Sequence, residues 1–218
     1  MHLATPRETV VLVHGLWMHG LAMRIMQRRL ERSGYAVCAY SYATVRCNLE
    51  DNAARLARYV RALGAEKVHL VAHSMGGLVA YGAAARLPGR CGRLVLIGTP
   101  FTDSYSGRRL ECLPGGRWLL GRCMAQWLHG QRPPPRDDFD LGVIAGSGGM
   151  GMGRLIAPGL PAPHDGVISV QETRVPGMRD HIVLPDSHTA MLFSGAVARQ
   201  VRAYLERGCF DRAANLTA

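Results

Sequence analysis

Short apolar runs alternate with longer stretches in which apolar positions recur every three or four residues, and this alternation runs through most of the 218-residue chain. Thr9 to Val13 (TVVLV) is a continuous apolar run, as expected of a strand covered on both faces. Leu21 to Ser33 sets Leu21, Met23, Ile25, Met26 and Leu30 among arginines and predicts a helix, closed by Gly34, which is free to take positive φ. Tyr35 to Tyr40 predicts a second strand. Leu49 to Leu63 carries Leu56, Tyr59, Val60 and Leu63 on one helical face, and Gly64 ends it. Lys67 to Ala72 (KVHLVA) is the third predicted strand, Met75 to Leu87 a helix stopped before Pro88, and Arg93 to Ile97 (RLVLI) the fourth strand.

The rhythm then changes. Thr99 to Arg136 contains no clear strand and ends in Pro133-Pro134-Pro135. Phe139 to Ala145 resumes as a strand, His181 to Leu184 predicts the last strand, and Ala190 to Arg207 the last helix. Repeated strand–helix units in this order predict an α/β fold in one domain: a mainly parallel sheet of about six strands with helices on both faces. The insert over 99–136 reads as a cap between two strands. It mixes Leu110, Leu113, Trp118, Leu119, Leu120, Met124, Trp127 and Leu128 with arginines, a pattern that suits a short cap packed over the sheet and also a lid meeting acyl chains or a lipid surface. Gly146 to Gly153 is rich in glycine but lacks the Lys-Ser/Thr of a phosphate-binding loop, so it reads as a flexible connection.

Chemistry enters where the third strand meets its helix, at Ala72-His73-Ser74-Met75-Gly76-Gly77. A sharp strand-to-helix turn lifts a serine above the sheet in a strained backbone conformation. Small residues two before and two after it, here Ala72 and Gly76, let strand and helix approach. The helix start offers backbone N–H groups and a positive dipole end, so the N–H of Met75 is expected to face an oxyanion formed at Ser74. A serine at this point could also serve only as a helix cap.

With Val13-His14-Gly15-Leu16-Trp17 following the first strand, the chain resembles the α/β-hydrolase family, and within it the small bacterial lipases and esterases, nearly end to end. The usual elbow is G-x-S-x-G, and Ala72 departs from it at a position where smallness is what matters. The resemblance implies that Leu16, the residue after His14-Gly15, donates the second oxyanion N–H. His14 itself reads as a structural residue of that loop. Trp17 and Met18 are expected to line the substrate pocket or to pack over it.

A serine hydroxyl needs an imidazole to take its proton. In an open parallel sheet, reactive groups gather at the carboxyl ends of the strands. His69 lies inside a strand, His73 should point away from Ser74, and His181 opens the last strand at the opposite end. His188, just after that strand, is the expected base and stands where the resemblance places one. The family's order of nucleophile, acid, histidine implies an acid between residues 74 and 188. Asp137, Asp138, Asp140 and Asp180 open strands at the wrong end, and Asp186 is too close to His188 to face it. Asp165, in His164-Asp165-Gly166-Val167, remains and looks like the family's acid loop, although Asp-Gly is also a turn signal. His164 reads as a neighbour of that acid.

Composition narrows the class. The formal net charge is +10, carried by arginines spread along the chain with Lys67 as the sole lysine, and no basic stripe interleaved with aromatics suggests nucleic-acid binding. Attraction to anionic lipid remains compatible with that charge. No apolar run is long enough to span a bilayer, and the first residues lack a signal-type apolar stretch, so a cytoplasmic protein is expected. The six cysteines are scattered and read as free thiols. The expected activity is hydrolysis of carboxylic esters through an acyl-enzyme, with no metal or organic cofactor. Thioester or amide cleavage, acyl transfer, or a non-catalytic binding module on the same fold stay open as alternatives.

Overall fold

The computed structural model describes residues 8–130, 132–149 and 157–213. Six strands form one sheet: β1 (Thr9–Val13), β2 (Ala36–Tyr40), β3 (Val68–His73), β4 (Cys91–Ile97), β5 (Asp140–Gly146) and β6 (Asp180–Leu184). Their order is β2-β1-β3-β4-β5-β6. Every neighbouring pair is parallel. The chain winds outward from β1 to β2, then returns past β1 and proceeds one way to β6. The reversal between β1 and β3 is the place where open parallel sheets form a crevice at their carboxyl ends.

The predicted strands stand within about two residues of their observed bounds. Their unbroken apolar runs follow from cover on both faces. Val10 and Leu12 of β1 pack into one layer with Met23, Met26 and Leu30. Val11 and Val13 face the other, with Leu56, Val60 and Leu78. The first layer holds α1 (Arg24–Arg32) and α6 (Gly195–Arg207); the second holds α2 (Leu49–Ala62) and α3 (Met75–Ala84). Asn48 caps α2 by accepting from Asp51 N at 2.8 Å, and Glu50 and Asp51 complement the helix dipole in its first turn.

Two predicted helices are broken. The segment read as one helix from Leu21 opens with a 3₁₀ turn, Gly20–Met23, before α1. The segment read as one helix over Ala190–Arg207 is a 3₁₀ turn, Ala190–Leu192, and then α6, because Ser194 turns its side chain onto Val197 N and restarts the helix. The insert contains two helices, α4 (Tyr105–Glu111) and α5 (Gly116–His129). Gly121 breaks α5 with φ 72° and ψ 170°. Its N-terminal turn exposes Trp118 and Leu119, while Cys123, Met124, Trp127 and Leu128 beyond the break are buried. The break lets the chain after β2 pass close: Arg122 N donates to Val45 O at 2.9 Å, and a Cβ on Gly121 would stand 2.6 Å from Val45 Cα. Of the glycine-rich stretch, Gly146 closes β5, and residues 150–153 lie outside the described residues, as do residues 1–7. Among the described residues no helix is long and apolar enough to cross a membrane.

Candidate active site

The turn between β3 and α3 is strained at one residue. Ser74 takes φ 55° and ψ −132°, a conformation that L-residues reach only when their surroundings impose it. The neighbours impose it here. Ser74 N donates to Ile97 O at 2.8 Å, at the end of β4. Ser74 O accepts from Gly77 N at 2.9 Å and from Thr99 Oγ1 at 3.0 Å. Close packing holds the rest: a Cβ on Gly76 would lie 2.3 Å from the His14 carbonyl, so only glycine admits this approach of α3 to the end of β1.

His188 follows β6 and reaches across to the turn, with Nε2 3.0 Å from Ser74 Oγ. Its Nδ1 stands 2.7 Å from Asp165 Oδ2. A carboxylate only accepts, so Nδ1 carries the hydrogen and the Nε2 lone pair faces the serine hydroxyl. Asp165 is fully buried. Its second oxygen, Oδ1, accepts from Val167 N at 2.9 Å and Ile168 N at 2.7 Å. One carboxylate oxygen thus builds the turn that Asp-Gly signals, and the other meets the imidazole.

The competing histidines and carboxylates are engaged elsewhere. His69 Nδ1 accepts from Arg93 N, His181 Nε2 meets Thr173 Oγ1, and His164 Nδ1 accepts from Gly166 N. Asp186 accepts from Ser194 Oγ, and Asp180 holds Phe210 N and Arg212. His14 is buried with its ring stacked on Tyr42 at 4.7 Å, and burial lowers its pKa. Its Nδ1–H donates to Gly15 O at 3.0 Å, and its own carbonyl accepts from the Tyr42 hydroxyl at 2.9 Å, which shapes the loop after β1. Among the described residues no three His, Cys, Asp or Glu side chains are grouped to hold a metal ion.

A cavity of about 520 Å³ opens beside Ser74 and His188. The loop after β1 lines it with Leu16, Trp17 and Met18; α3 contributes Met75. The insert contributes Leu110, Leu120 and Met124, and the Asp165 loop contributes Val167 and Ile168. Trp17 has φ 59° and is more than half exposed, and its indole N–H donates to Leu119 O at 2.8 Å, joining the β1 loop to α5.

Two residues at the site left no mark that sequence reasoning could use. Glu172 is buried and bridges the Asp165 loop to the start of α4, accepting from Ser169 N at 2.7 Å and from Tyr105 N. Burial raises the pKa of its carboxyl. His73 was expected only to point away from Ser74. Its Nε2 reaches the main-chain oxygen of His188 at 2.9 Å.

Comparison with known proteins agrees with this architecture. Residues 10–211 match the model of the alpha/beta hydrolase family. The fold is similar to the mature form of a Bacillus licheniformis lipase, with TM-score 0.77 at 18% identity over 94% of this chain and 93% of that one. It is similar to a thioesterase of the prodiginine biosynthetic pathway in Streptomyces coelicolor, with TM-score 0.63 at 17% identity over 94% and 86%. A Bacillus subtilis carboxylesterase gives TM-score 0.60 at 15% identity over 94% and 85%. No curated protein matches in sequence. Identities this low speak for the fold alone, whereas the family match spans nearly the whole described chain: the protein belongs to the alpha/beta hydrolase family.

Proposed function

We propose that this protein is a serine hydrolase that cleaves carboxylic esters through an acyl-enzyme on Ser74. The observation that carries the reading is the relay of two short contacts, Ser74 Oγ to His188 Nε2 at 3.0 Å and His188 Nδ1 to Asp165 Oδ2 at 2.7 Å, beside an apolar cavity. As Ser74 Oγ attacks the ester carbonyl carbon, its proton passes to His188 Nε2. Asp165 holds the ring in the required tautomer and stabilises its charged form. The carbonyl oxygen becomes an oxyanion held by the N–H groups of Leu16 and Met75, the latter at the positive end of α3. Collapse breaks the C–O bond, and His188 returns the proton to the leaving alcohol. Water then repeats the sequence: His188 accepts its proton, the hydroxyl adds to the acyl carbon, and Ser74 leaves with the proton restored.

The lining favours an acyl group over a charged one, because an unpaired charge among Leu110, Leu120 and Met124 loses its hydration without compensation. Thioesters would use the same residues, and one of the similar folds is a thioesterase. Trp17 lines the cavity and is 54% exposed, and its hydrogen-bond partner Leu119 and adjacent Trp118, 76% exposed, also face solvent, with Arg117 next in sequence. We read this apolar patch on a basic protein as a contact for anionic lipid carrying the substrate.

Labelling with a fluorophosphonate probe tests the nucleophile: it is expected in the wild type and absent in Ser74→Ala. A series of p-nitrophenyl esters and acyl thioesters of rising chain length then separates the substrate classes. A wild-type protein that neither labels nor hydrolyses any of them overturns the reading. Flotation with anionic vesicles is expected for the wild type and reduced in Trp118→Ser; equal flotation of both removes the lipid contact.

A further inference from the structure

His73 stands directly before Ser74 at the end of β3 and is fully buried, yet the reaction above makes no use of it. Its partner is the main-chain carbonyl of His188, 2.9 Å from Nε2. The two rings pack with centroids 4.7 Å apart and planes inclined by 48°. A carbonyl only accepts, so the hydrogen is on Nε2 and Nδ1 is a bare acceptor. That Nδ1 is buried, with no hydrogen-bond partner among the described residues. It abuts the loop after β1, where a Cβ on Gly15 would lie 3.3 Å away. An apolar ring would fill this space without leaving a nitrogen unpaired, so packing alone does not account for a histidine here.

What the histidine adds is a donor at one particular oxygen. The main chain of His188 is held from both sides. Its N–H donates to Asp165 O at 2.9 Å, and its C=O receives the hydrogen of His73. The peptide groups on each side of the proposed base are thereby tied, one to the loop of the acid and one to the strand of the nucleophile.

We infer that His73 is a positioning residue, whose Nε2–H bond to the His188 carbonyl holds the base-bearing loop in register with Ser74. The inference rests on the reading of Ser74, His188 and Asp165 as the reacting relay. The ring suits this role because it stays uncharged: burial, with His188 alongside, lowers its pKa to about 3. A cation there would oppose the imidazolium that His188 becomes. The titratable groups facing His73 are His188, Asp165 and His14.

Two kinds of variant separate a donor from a filler. His73→Gln keeps an N–H of similar reach, and His73→Leu removes it while keeping volume; His73→Phe serves as a second donor-free variant if the leucine protein does not fold. With an ester the wild type hydrolyses, the donor-free variants are expected to lose about 10- to 100-fold in kcat while KM changes by less than about twofold. His73→Gln is expected to recover kcat to within about fivefold of wild type. A readout that needs no substrate is the downfield proton resonance of the His188–Asp165 hydrogen bond, expected in the wild type and His73→Gln and lost or broadened without the donor. It keeps this inference testable even if every ester fails. Equal impairment of the glutamine and leucine variants, a change confined to KM, or an unaltered resonance in the donor-free protein overturns the assignment.

Discussion

The carboxyl end of the sheet and the cap above it are built to different rules. At the sheet end, Asp165, His73 and His188 are buried and joined through side chains and main chain alike, so that moving one disturbs several bonds. In the cap, α5 is broken at Gly121, its outer turn shows Trp118 and Leu119 to solvent, and an indole bond from Trp17 joins that turn to the loop below. On the proposed function, tightly coupled polar groups would fix the reaction geometry and more loosely attached apolar ones would shape what fits beside it. The difference predicts that, if the proposed function holds, chemistry and selectivity can be altered separately.

The sharpest way to break that division is at Asp165. In Asp165→Asn one oxygen must still satisfy Val167 and Ile168 N–H, which turns the new NH₂ toward His188 Nδ1 and forces the other tautomer, with Nε2–H facing Ser74. The expected loss in kcat is about 10⁴-fold, with the fold retained by circular dichroism. Activity close to wild type removes Asp165 from the relay. A smaller effect tests the cap. Met124→Trp fills the inner part of the cavity and is expected to shift the preference between long and short acyl chains by about 10- to 100-fold in kcat/KM, leaving probe labelling of Ser74 intact. If long and short esters decline together, the cap does not select chain length.

The buried and half-buried histidines of the sheet and its loops make stability depend on acidity. The pKa of His73 is lowered to about 3, and those of His14, His69 and His181 are also lowered, in every case chiefly by burial. Below the ordinary histidine pKa of about 6.5 the unfolded chain binds protons that these folded rings refuse, so stability falls as pH drops. His73 alone adds a slope of up to about 1.4 kcal/mol per pH unit over that window. Denaturant melts from pH 7 to pH 4 should become less pH-dependent in His73→Gln, and an unchanged slope would contradict burial of a neutral ring. The smallest effect belongs to Trp17→Phe, which removes one exposed hydrogen bond: about threefold or less in kcat/KM, with the melting temperature nearly unmoved.

Much of the sheet end was legible because its constraints are local. Ser74 sits between a β-branched strand and a helix with Gly76 two residues on, and steric need alone assigns those letters. Asp165-Gly166 writes a turn into the sequence and looks like the family's acid loop, and topology together with the family resemblance points to His188. His73 and Glu172 were not legible, because the His188 carbonyl and the Tyr105 N–H that they meet lie far away in the chain. Nothing in a periodic pattern says which carbonyl will arrive beside a buried ring. The broken helices have another cause. Leu192 and Phe193 continue the apolar pattern into α6, so periodicity hides the point where the Ser194 side chain restarts the helix. Gly121 likewise sits in a run of helix formers, and the reason for its bend, Val45, lies far away in sequence.

The kink in α5 makes the outer turn of the cap an exchangeable piece. Arg117, Trp118 and Leu119 are exposed before the bend, between buried Gly116 and Leu120, and the helix beyond it has its own anchor at Val45 and its own buried face. On the proposed reading, replacing those three residues would rewrite the rim of the cavity while leaving buried Gly116 and Leu120 in place. Diversification among relatives, or redesign at the bench, has a natural cutting point there.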